Sequence, residues 1–238
     1  MSRETARVVN AFSIDVEDWF QVSAFEKSIA RDSWDTLPLR VERNVHALLE
    51  LLDSRSVGAT FFTLGWIAQR RPHLVRAIHD AGHEVASHGF GHERVGTLTP
   101  EQFRQDATRA KGLLEDVCGA RVAGYRAPSF SIGPASPWAF DTLVEIGHTY
   151  SSSVYPIAHD HYGMPDAPRF AFQARSELLE IPVTTVRLLN RNLPSSGGGY
   201  FLVILTLIAG VVAFVLSTLP TDATNSPALT ILLFNSPI

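Results

Sequence analysis

A strand–helix–strand unit decides the fold, and it occupies Val57–His88, VGATFFTLGWIAQRRPHLVRAIHDAGHEVASH. Residues 57–64 are rich in β-branched and aromatic side chains, which is typical of a buried strand. Residues 72–81 have the pattern of a short helix, and residues 83–87 that of a second strand running directly into His88. Strands joined in this way by a helix are the repeating unit of α/β proteins.

The same alternation continues on both sides of this unit. Asp15, His88 and Arg126 each follow a predicted strand. Repeated βα units predict a parallel sheet covered by helices, with the chemistry at the carboxyl ends of the strands. We therefore expect these three residues to meet at one edge of the sheet. The further predicted elements are strands at 8–14, 121–125, 149–154 and 178–186, and helices at 41–55, 99–117 and 136–146.

The overall composition excludes several classes of protein. The chain has 238 residues, of which 45% are hydrophobic and 18% charged. This is enough for a packed core and too apolar for a disordered chain. Cys118 is the only cysteine, so a disulfide scaffold is excluded. The formal net charge of -4 does not favour nucleic acid as a partner.

Charged residues almost disappear after residue 199. Residues 201–219, FLVILTLIAGVVAFVLSTL, contain none, and Asp222 is the only one in residues 200–238. At about 1.5 Å per residue, a helix of this length could span a hydrocarbon core of about 30 Å. We predict a domain over 1–200 and an apolar tail over 201–238. The tail is a frame-shifted end, a transmembrane anchor or additional core, and the sudden loss of charge favours the first.

The N-terminus lacks the pattern of a secretory signal. Met1–Arg7, MSRETAR, is polar, and the apolar run that follows it ends at Asp15. A signal peptide needs a longer apolar region and a small-residue cleavage site. We therefore expect a cytoplasmic body, attached to a membrane only if residues 201–219 form an anchor.

Three groups of polar residues could carry chemistry. Residues 15–18, DVED, crowd three carboxylates together, which is costly unless they are solvated, paired or bound to a metal; a helix cap is the simpler explanation. His88 and His92 have the i, i+4 spacing of two metal ligands. Two histidines and a carboxylate form a ligand set that leaves metal positions open. Arg126 could hold a catalytic carboxylate ionised, or could simply lie in a surface turn.

Five motifs in this order resemble the polysaccharide deacetylase (NodB-homology) superfamily, and most closely the branch associated with exopolysaccharide biosynthesis. They are FSIDVEDWFQV (12–22), ATFFTLGWIA (59–68), AGHEVASHGFGH (81–92), GYRAPSFSI (124–132) and SSSVYPIAHDHYGMPDAPRF (151–170). The resemblance covers residues 8–200. It implies an α/β fold, a distorted (β/α)7-type NodB barrel, which here would be incomplete at its C-terminus and followed by the apolar tail.

The resemblance also implies an activity and a cofactor. The activity is metal-dependent hydrolysis of a linear amide C–N bond, which removes acetyl groups from an N-acetylhexosamine-containing polysaccharide or oligosaccharide. Asp15 matches the catalytic base, with a metal-bound water as nucleophile, and Arg126 matches the arginine that positions the base. His88 and His92 match the metal-binding histidines. The implied metal is divalent, with zinc first and cobalt, manganese or iron as alternatives.

The metal carboxylate is not fixed by the motif. The common pattern has two adjacent aspartates, and Val16 stands at the second place here. Asp15 and Glu17 share one side of an extended chain, which favours Glu17, and Asp18 is the alternative. The residues that would line the substrate groove are Tyr125, Pro128, Phe130, His159 and Asp160.

The sequence departs from the family at two places. Ser151 stands where the family usually has an aspartate after the tyrosine, and no histidine follows His161, although the family carries its general acid on a later histidine. Two alternatives to an active enzyme therefore remain. One is a catalytically impaired carbohydrate-binding remnant of the same fold, and the other is a membrane-tethered interaction protein. No protein partner can be inferred from the sequence.

Overall fold

The computed structural model describes residues 11–159 and 162–195. Within these ranges the chain forms nine strands and five α-helices. The strands are β1 Ser13–Val16, β2 Thr60–Thr63, β3 Glu84–Ser87, β4 Gly124–Tyr125, β5 Tyr150–Ser151, β6 Phe172–Arg175, β7 Leu178–Glu180, β8 Thr185–Leu188 and β9 Arg191–Pro194. The helices are α1 Val41–Ser54, α2 Gly65–Arg70, α3 Pro72–Asp80, α4 Pro100–Cys118 and α5 Trp138–Glu145.

Seven of the strands form one sheet in the order β1-β2-β3-β4-β5-β7-β6. Neighbours are parallel from β1 to β7, and β6 runs antiparallel to β7. Asp15 on β1 is level with Phe62 on β2, which in turn is level with Ala86 on β3. The strands β8 and β9 pair separately as a two-stranded sheet. The predicted α/β class with a parallel sheet is confirmed.

Helix boundaries follow the local signals in the sequence. The longest helix, α4, begins after a capping box in which Thr99 and Gln102 exchange hydrogen bonds, and it ends at Gly119, whose φ of 65° is left-handed. Its buried face carries Phe103, Ala107 and other apolar residues that pack the core. The predicted helix at 99–117 is therefore confirmed almost to the residue.

Several elements differ from the prediction, among them strand β9, for which no strand was expected. Helix α2 was not expected, because Trp66, Ile67 and Ala68 are all buried and so give no amphipathic pattern. Strand β6 was also not expected. The single strand predicted at 178–186 is two strands, β7 and β8, because Pro182 between them lacks the N–H that a ladder needs.

Close packing of α2 against α4 depends on Gly65. A Cβ at this position would lie 2.7 Å from the ring of Phe90 and 3.1 Å from the Cα of Ala110. Only glycine therefore fits at the start of α2. The contact holds α2 beside the loop that follows β3, since Gly65 N and Trp66 N donate hydrogen bonds to carbonyls in that loop.

The described residues contain no helix that is both long and apolar enough to cross a bilayer. The predicted membrane segment at 201–219 and the rest of the predicted tail at 201–238 lie outside the described residues. The domain boundary near residue 200 stays a prediction.

Candidate active site

The carboxyl ends of three parallel strands bring the predicted polar residues together. Asp15 lies near the end of β1, and Glu17 follows that strand directly. His88 follows β3, and Arg126 follows β4. These are the positions at which parallel α/β sheets collect functional groups. The three residues do meet at this edge, since Arg126 contacts Asp15 with its side chain and His88 with its main-chain carbonyl.

Arg126 holds Asp15 against the end of the sheet. Its Nη1 donates to Asp15 Oδ1 at 2.7 Å, and its Nη2 donates to Ser13 Oγ at 2.8 Å. On the opposite side, its Nε and Nη2 donate to the carbonyl oxygen and hydroxyl of Ser152 at 3.2 and 3.0 Å. Its Cζ lies 4.0 Å from the centroid of the Phe62 ring. The guanidinium is therefore held by contacts in several directions, which fixes the orientation of the Asp15 carboxylate.

The environment of Asp15 lowers the pKa of its carboxyl group. Burial acts to raise this pKa, because the charged form loses hydration. The charge and hydrogen bond of Arg126, together with the charges that His88 and His92 carry when protonated, outweigh that effect. Asp15 is consequently ionised at neutral pH and can accept a proton.

Glu17, His88 and His92 form a group that could hold a metal ion. One ligand atom from each residue lies within 4.8 Å of the others. Glu17 Oε2 is 2.7 Å from His92 Nε2 and 4.0 Å from His88 Nε2. This carboxylate oxygen is buried, and its contact with His92 does not have the geometry of a hydrogen bond, so no described residue satisfies it. Burying an unsatisfied carboxylate is unfavourable, and a cation among the three atoms would compensate its charge. Two imidazoles with one carboxylate suit zinc and similar divalent metals.

The contacts of His88 leave its metal-facing nitrogen free of a proton. His88 Nδ1 lies 2.9 Å from the carbonyl oxygen of Arg126, which can only accept, so Nδ1 carries the hydrogen. Nε2 is then the lone-pair nitrogen, as in metal sites where the second ring nitrogen is fixed by an acceptor. Burial lowers the pKa of His88, although the charges of Asp15 and Glu17 oppose the effect. The neutral, ligating form is therefore favoured.

The loop between the two histidines is fixed by Asp106 on α4. Its carboxylate accepts hydrogen bonds from Phe90 N at 2.8 Å and Gly91 N at 3.1 Å. Gly89 has a φ of 73°, and a Cβ there would lie 2.7 Å from Asp106 Oδ2. Sequence reasoning missed Asp106, although a signal exists: it lies three residues after Phe103 on the buried stripe of α4, where a carboxylate is unexpected.

Asp18 does not join the histidines. Its Oδ2 accepts hydrogen bonds from Arg40 N at 2.7 Å and Val41 N at 2.9 Å, where α1 begins, and its Oδ1 accepts from Trp19 N at 2.9 Å. The carboxylate is therefore committed to free amides at a helix start. The structure corrects the alternative assignment of Asp18 as a metal ligand and agrees with its alternative explanation as a cap.

The predicted groove residues are only partly exposed to a substrate. Tyr125 is 1% exposed and packs edge-to-face on Phe103, because neighbouring residues on a strand point to opposite faces and Arg126 takes the face of the site. Pro128 is also buried. The groove roles predicted for these two residues are therefore wrong.

Two other predicted groove residues, Phe130 and His159, keep some surface area. Phe130 is partly buried, and the Cζ of Arg126 lies 5.5 Å from its ring centroid. His159 is exposed and stacks on Tyr162 with 3.8 Å between the ring centroids. Asp160 lies outside the described residues.

The site lies largely within a recognised sequence family. Residues 26–143, which include both histidines and Arg126, match the sequence model of the family described as polysaccharide deacetylase. This segment is therefore similar to polysaccharide deacetylases. Residues 152–212 match a second family, described as a domain of unknown function (DUF3473). This second match crosses residue 201, where the predicted apolar tail begins.

Individual relatives carry similar descriptions. The chain is 32% identical over 87 residues to a peptidoglycan deacetylase of Helicobacter pylori, covering 37% of this chain and 30% of that protein. It is 32% identical over 83 residues to a chitooligosaccharide deacetylase of Azorhizobium caulinodans, covering 34% of this chain and 40% of that protein. The chain thus spans less than half the length of these two relatives.

A solved structure extends the likeness over more of the chain. It is that of a candidate polysaccharide deacetylase from Mycobacterium smegmatis, with 29% identity and a TM-score of 0.53. The match covers 79% of this chain and 64% of that one. The α/β fold with its parallel sheet is therefore similar to the fold of this solved structure.

We expect Glu17→Gln to weaken zinc binding and Asp18→Ala to lower stability. Glu17→Gln removes a charged ligand, so zinc affinity should fall by at least about 100-fold, the largest loss typical for residues that only support a metal ligand. Asp18→Ala leaves amides of α1 without an acceptor, so the free energy of unfolding should fall by about 1–2 kcal/mol with zinc affinity unchanged. Calorimetric titration measures the zinc affinity, and denaturant unfolding measures the free energy of unfolding. A larger loss of zinc affinity in Asp18→Ala than in Glu17→Gln would contradict the assignment.

A second prediction concerns the loop between the histidines. Asp106→Ala should weaken zinc binding by about 10- to 100-fold, because the amides of Phe90 and Gly91 lose their acceptor and the loop no longer holds His92 in place. Asp116→Ala, at an exposed aspartate on the same helix, is the matched control and should bind zinc normally. Equal zinc affinities in the two variants would refute the role of Asp106.

Proposed function

We propose that this chain is a metal-dependent N-deacetylase of an N-acetylhexosamine-containing polysaccharide or oligosaccharide. The observation that carries the proposal is the ion pair of Asp15 with Arg126 beside the Glu17–His88–His92 group. Metal-assisted hydrolysis of an amide needs a general base beside a set of metal-binding residues, and both lie at one edge of the sheet. The family match and the descriptions of the relatives, as deacetylases of peptidoglycan and chitooligosaccharide, support the same class of substrate.

The three ligands define what a bound cation would contribute. Glu17, His88 and His92 would hold a divalent ion, zinc first and cobalt, manganese or iron as alternatives. When bound, the ion supplies Lewis acidity, which polarises the acetyl carbonyl and lowers the pKa of water. The neutral state of His88 and the buried oxygen of Glu17 prepare the group for this role.

Asp15 is assigned the role of general base. Arg126 donates to Oδ1, and no other described residue donates to Oδ2, which leaves that oxygen to take the proton of the attacking water. The water oxygen forms a bond to the acetyl carbon, the C–N bond breaks, and acetate and a sugar amine result. Arg126 keeps Asp15 ionised and aligned before the transfer.

The protonation of the leaving amine favours a second candidate function. The resemblance implies a general acid on a histidine later in the chain than His161, and residues 162–238 contain no histidine. If these residues lack the acid, the domain would retain a metal and bind carbohydrate while turning over slowly. A catalytically impaired remnant of the same fold is therefore the alternative.

We expect Asp15→Asn to separate catalysis from metal binding. Asparagine keeps the size and an acceptor for Arg126 but cannot take a proton, so kcat should fall by about 100- to 10,000-fold with zinc affinity within about twofold of the wild type. Acetate release from chitooligosaccharides and from peptidoglycan, with added zinc or cobalt, measures the activity. Asp53→Asn, at an exposed aspartate on α1, is the control.

The outcomes of this experiment distinguish the two candidates. Near-normal acetate release by Asp15→Asn would refute the mechanism. A wild-type chain that binds zinc but releases no acetate from either substrate would instead identify the remnant.

The finer assignments are proposals of the same kind. We propose that residues 1–200 form a cytoplasmic deacetylase domain of the exopolysaccharide-associated branch and that residues 201–238 are a frame-shifted end. The loss of charge after residue 199 supports the assignment of the tail, whereas the family match over residues 152–212, which continues past residue 201, weighs against it. Reading the coding DNA after codon 200 in the other frames should restore a polar helix and a later histidine beside a proline. Carbonate-resistant membrane pelleting of the product would contradict the proposal and support an anchor at 201–219.

A further inference from the structure

A buried carboxylate that the proposed reaction does not use lies behind Arg126. Glu180 ends β7 and is 0% exposed. It is level with Ser151 on the neighbouring strand β5. Carboxylates are almost never fully buried unless their oxygens have partners, so its contacts should be informative.

Glu180 binds the chain that leaves β5. Its Oε1 accepts hydrogen bonds from Ser153 N and Val154 N, both at 2.8 Å. One oxygen that binds two successive amides fixes the path of the backbone at that point. Glu180 thus determines where the segment 152–154 lies relative to the end of the sheet.

The same segment holds Arg126. The carbonyl oxygen and the hydroxyl of Ser152 accept from Arg126 Nε and Nη2, and Ser153 Oγ accepts from Ala127 N at 2.9 Å. Segment 152–154 therefore connects Glu180 on one side to Arg126 on the other. Arg126 in turn holds Asp15.

We propose that Glu180 is a positioning residue that acts through segment 152–154 to hold Arg126, and thereby Asp15, in the orientation that the base requires. Its effect on turnover rests on the proposed function, whereas its effect on Arg126 does not. Burial raises the pKa of Glu180, opposed by the hydrogen bonds from the two amides and by the charge of Arg126. Glutamine retains a carbonyl oxygen for both amides and is therefore a suitable conservative variant.

A double-mutant cycle tests the coupling between Glu180 and Arg126. Glu180→Ala should lower kcat by about 10- to 100-fold, the loss expected for a misplaced catalytic group, with KM and zinc affinity nearly unchanged. Glu180→Gln should retain most of the activity. In an Arg126→Ala background, Glu180→Ala should cause less than about a twofold further loss, because no guanidinium remains to be positioned. An equal loss in both backgrounds would overturn the proposal.

Two controls guard against a purely structural effect. Glu177→Ala, at an exposed glutamate just before β7, should behave as the wild type. If Glu180→Ala does not fold, Glu180→Asp replaces it, because the shorter side chain withdraws the acceptor from both amides while keeping the carboxylate. The same coupling to Arg126 is expected, and its absence in a folded Glu180→Asp would overturn the proposal.

A readout without turnover separates this proposal from the proposed function. The Nε–H resonance of Arg126 in ¹⁵N NMR spectra can be assigned by its loss in Arg126→Lys. We expect its exchange with solvent to be at least about tenfold faster in Glu180→Ala than in the wild type or Glu180→Gln, because the acceptor at Ser152 moves. An unchanged exchange rate in folded Glu180→Ala would refute the positioning role. Faster exchange in a chain that releases no acetate would uphold it while the proposed function fails.

Discussion

The contact between Arg126 and Asp15 constrains the shape of the whole sheet. Arg126 follows β4 and Asp15 lies on β1, with β2 and β3 between them. In a flat sheet, strands three places apart would be separated by about 14 Å, which these two side chains could bridge only when both are fully extended. Their 2.7 Å hydrogen bond therefore favours strand ends that curl toward one another, as in a barrel. The ring of Phe62 on β2 lies beneath the guanidinium and fills the space that the curl encloses.

The crowded carboxylates after β1 are tolerated because each has a different partner. Asp15 is neutralised by Arg126, and Asp18 is bound by amides at the start of α1. Only Glu17 is left to face the two histidines. This distribution avoids mutual repulsion and leaves one negative charge for a cation. Two further carboxylates bind backbone amides. Asp106 fixes the loop that carries His92, and Glu180 fixes the segment that holds Arg126.

The sequence predicted the parts of the site that follow strands, because hydrophobic runs mark strand ends and parallel strands share an edge. It could not decide the fate of Asp18, whose partners at Arg40 and Val41 are distant in sequence and are backbone amides. Asp106 and Glu180 were missed for the same reason: a carboxylate that binds amides belongs to no motif. Tyr125 was misplaced because a motif shows which residues are adjacent, whereas strand geometry decides which of them faces the site.

Arg126 serves both halves of the site with different atoms. Its side chain binds Asp15, and its main-chain carbonyl fixes the tautomer of His88. A substitution at this position removes the guanidinium but keeps the carbonyl, whereas a shift of the backbone after β4 disturbs both. The orientation of the Asp15 carboxylate and the tautomer of His88 therefore depend on different atoms of one residue, and a change of the Arg126 side chain alters the first while leaving the second in place.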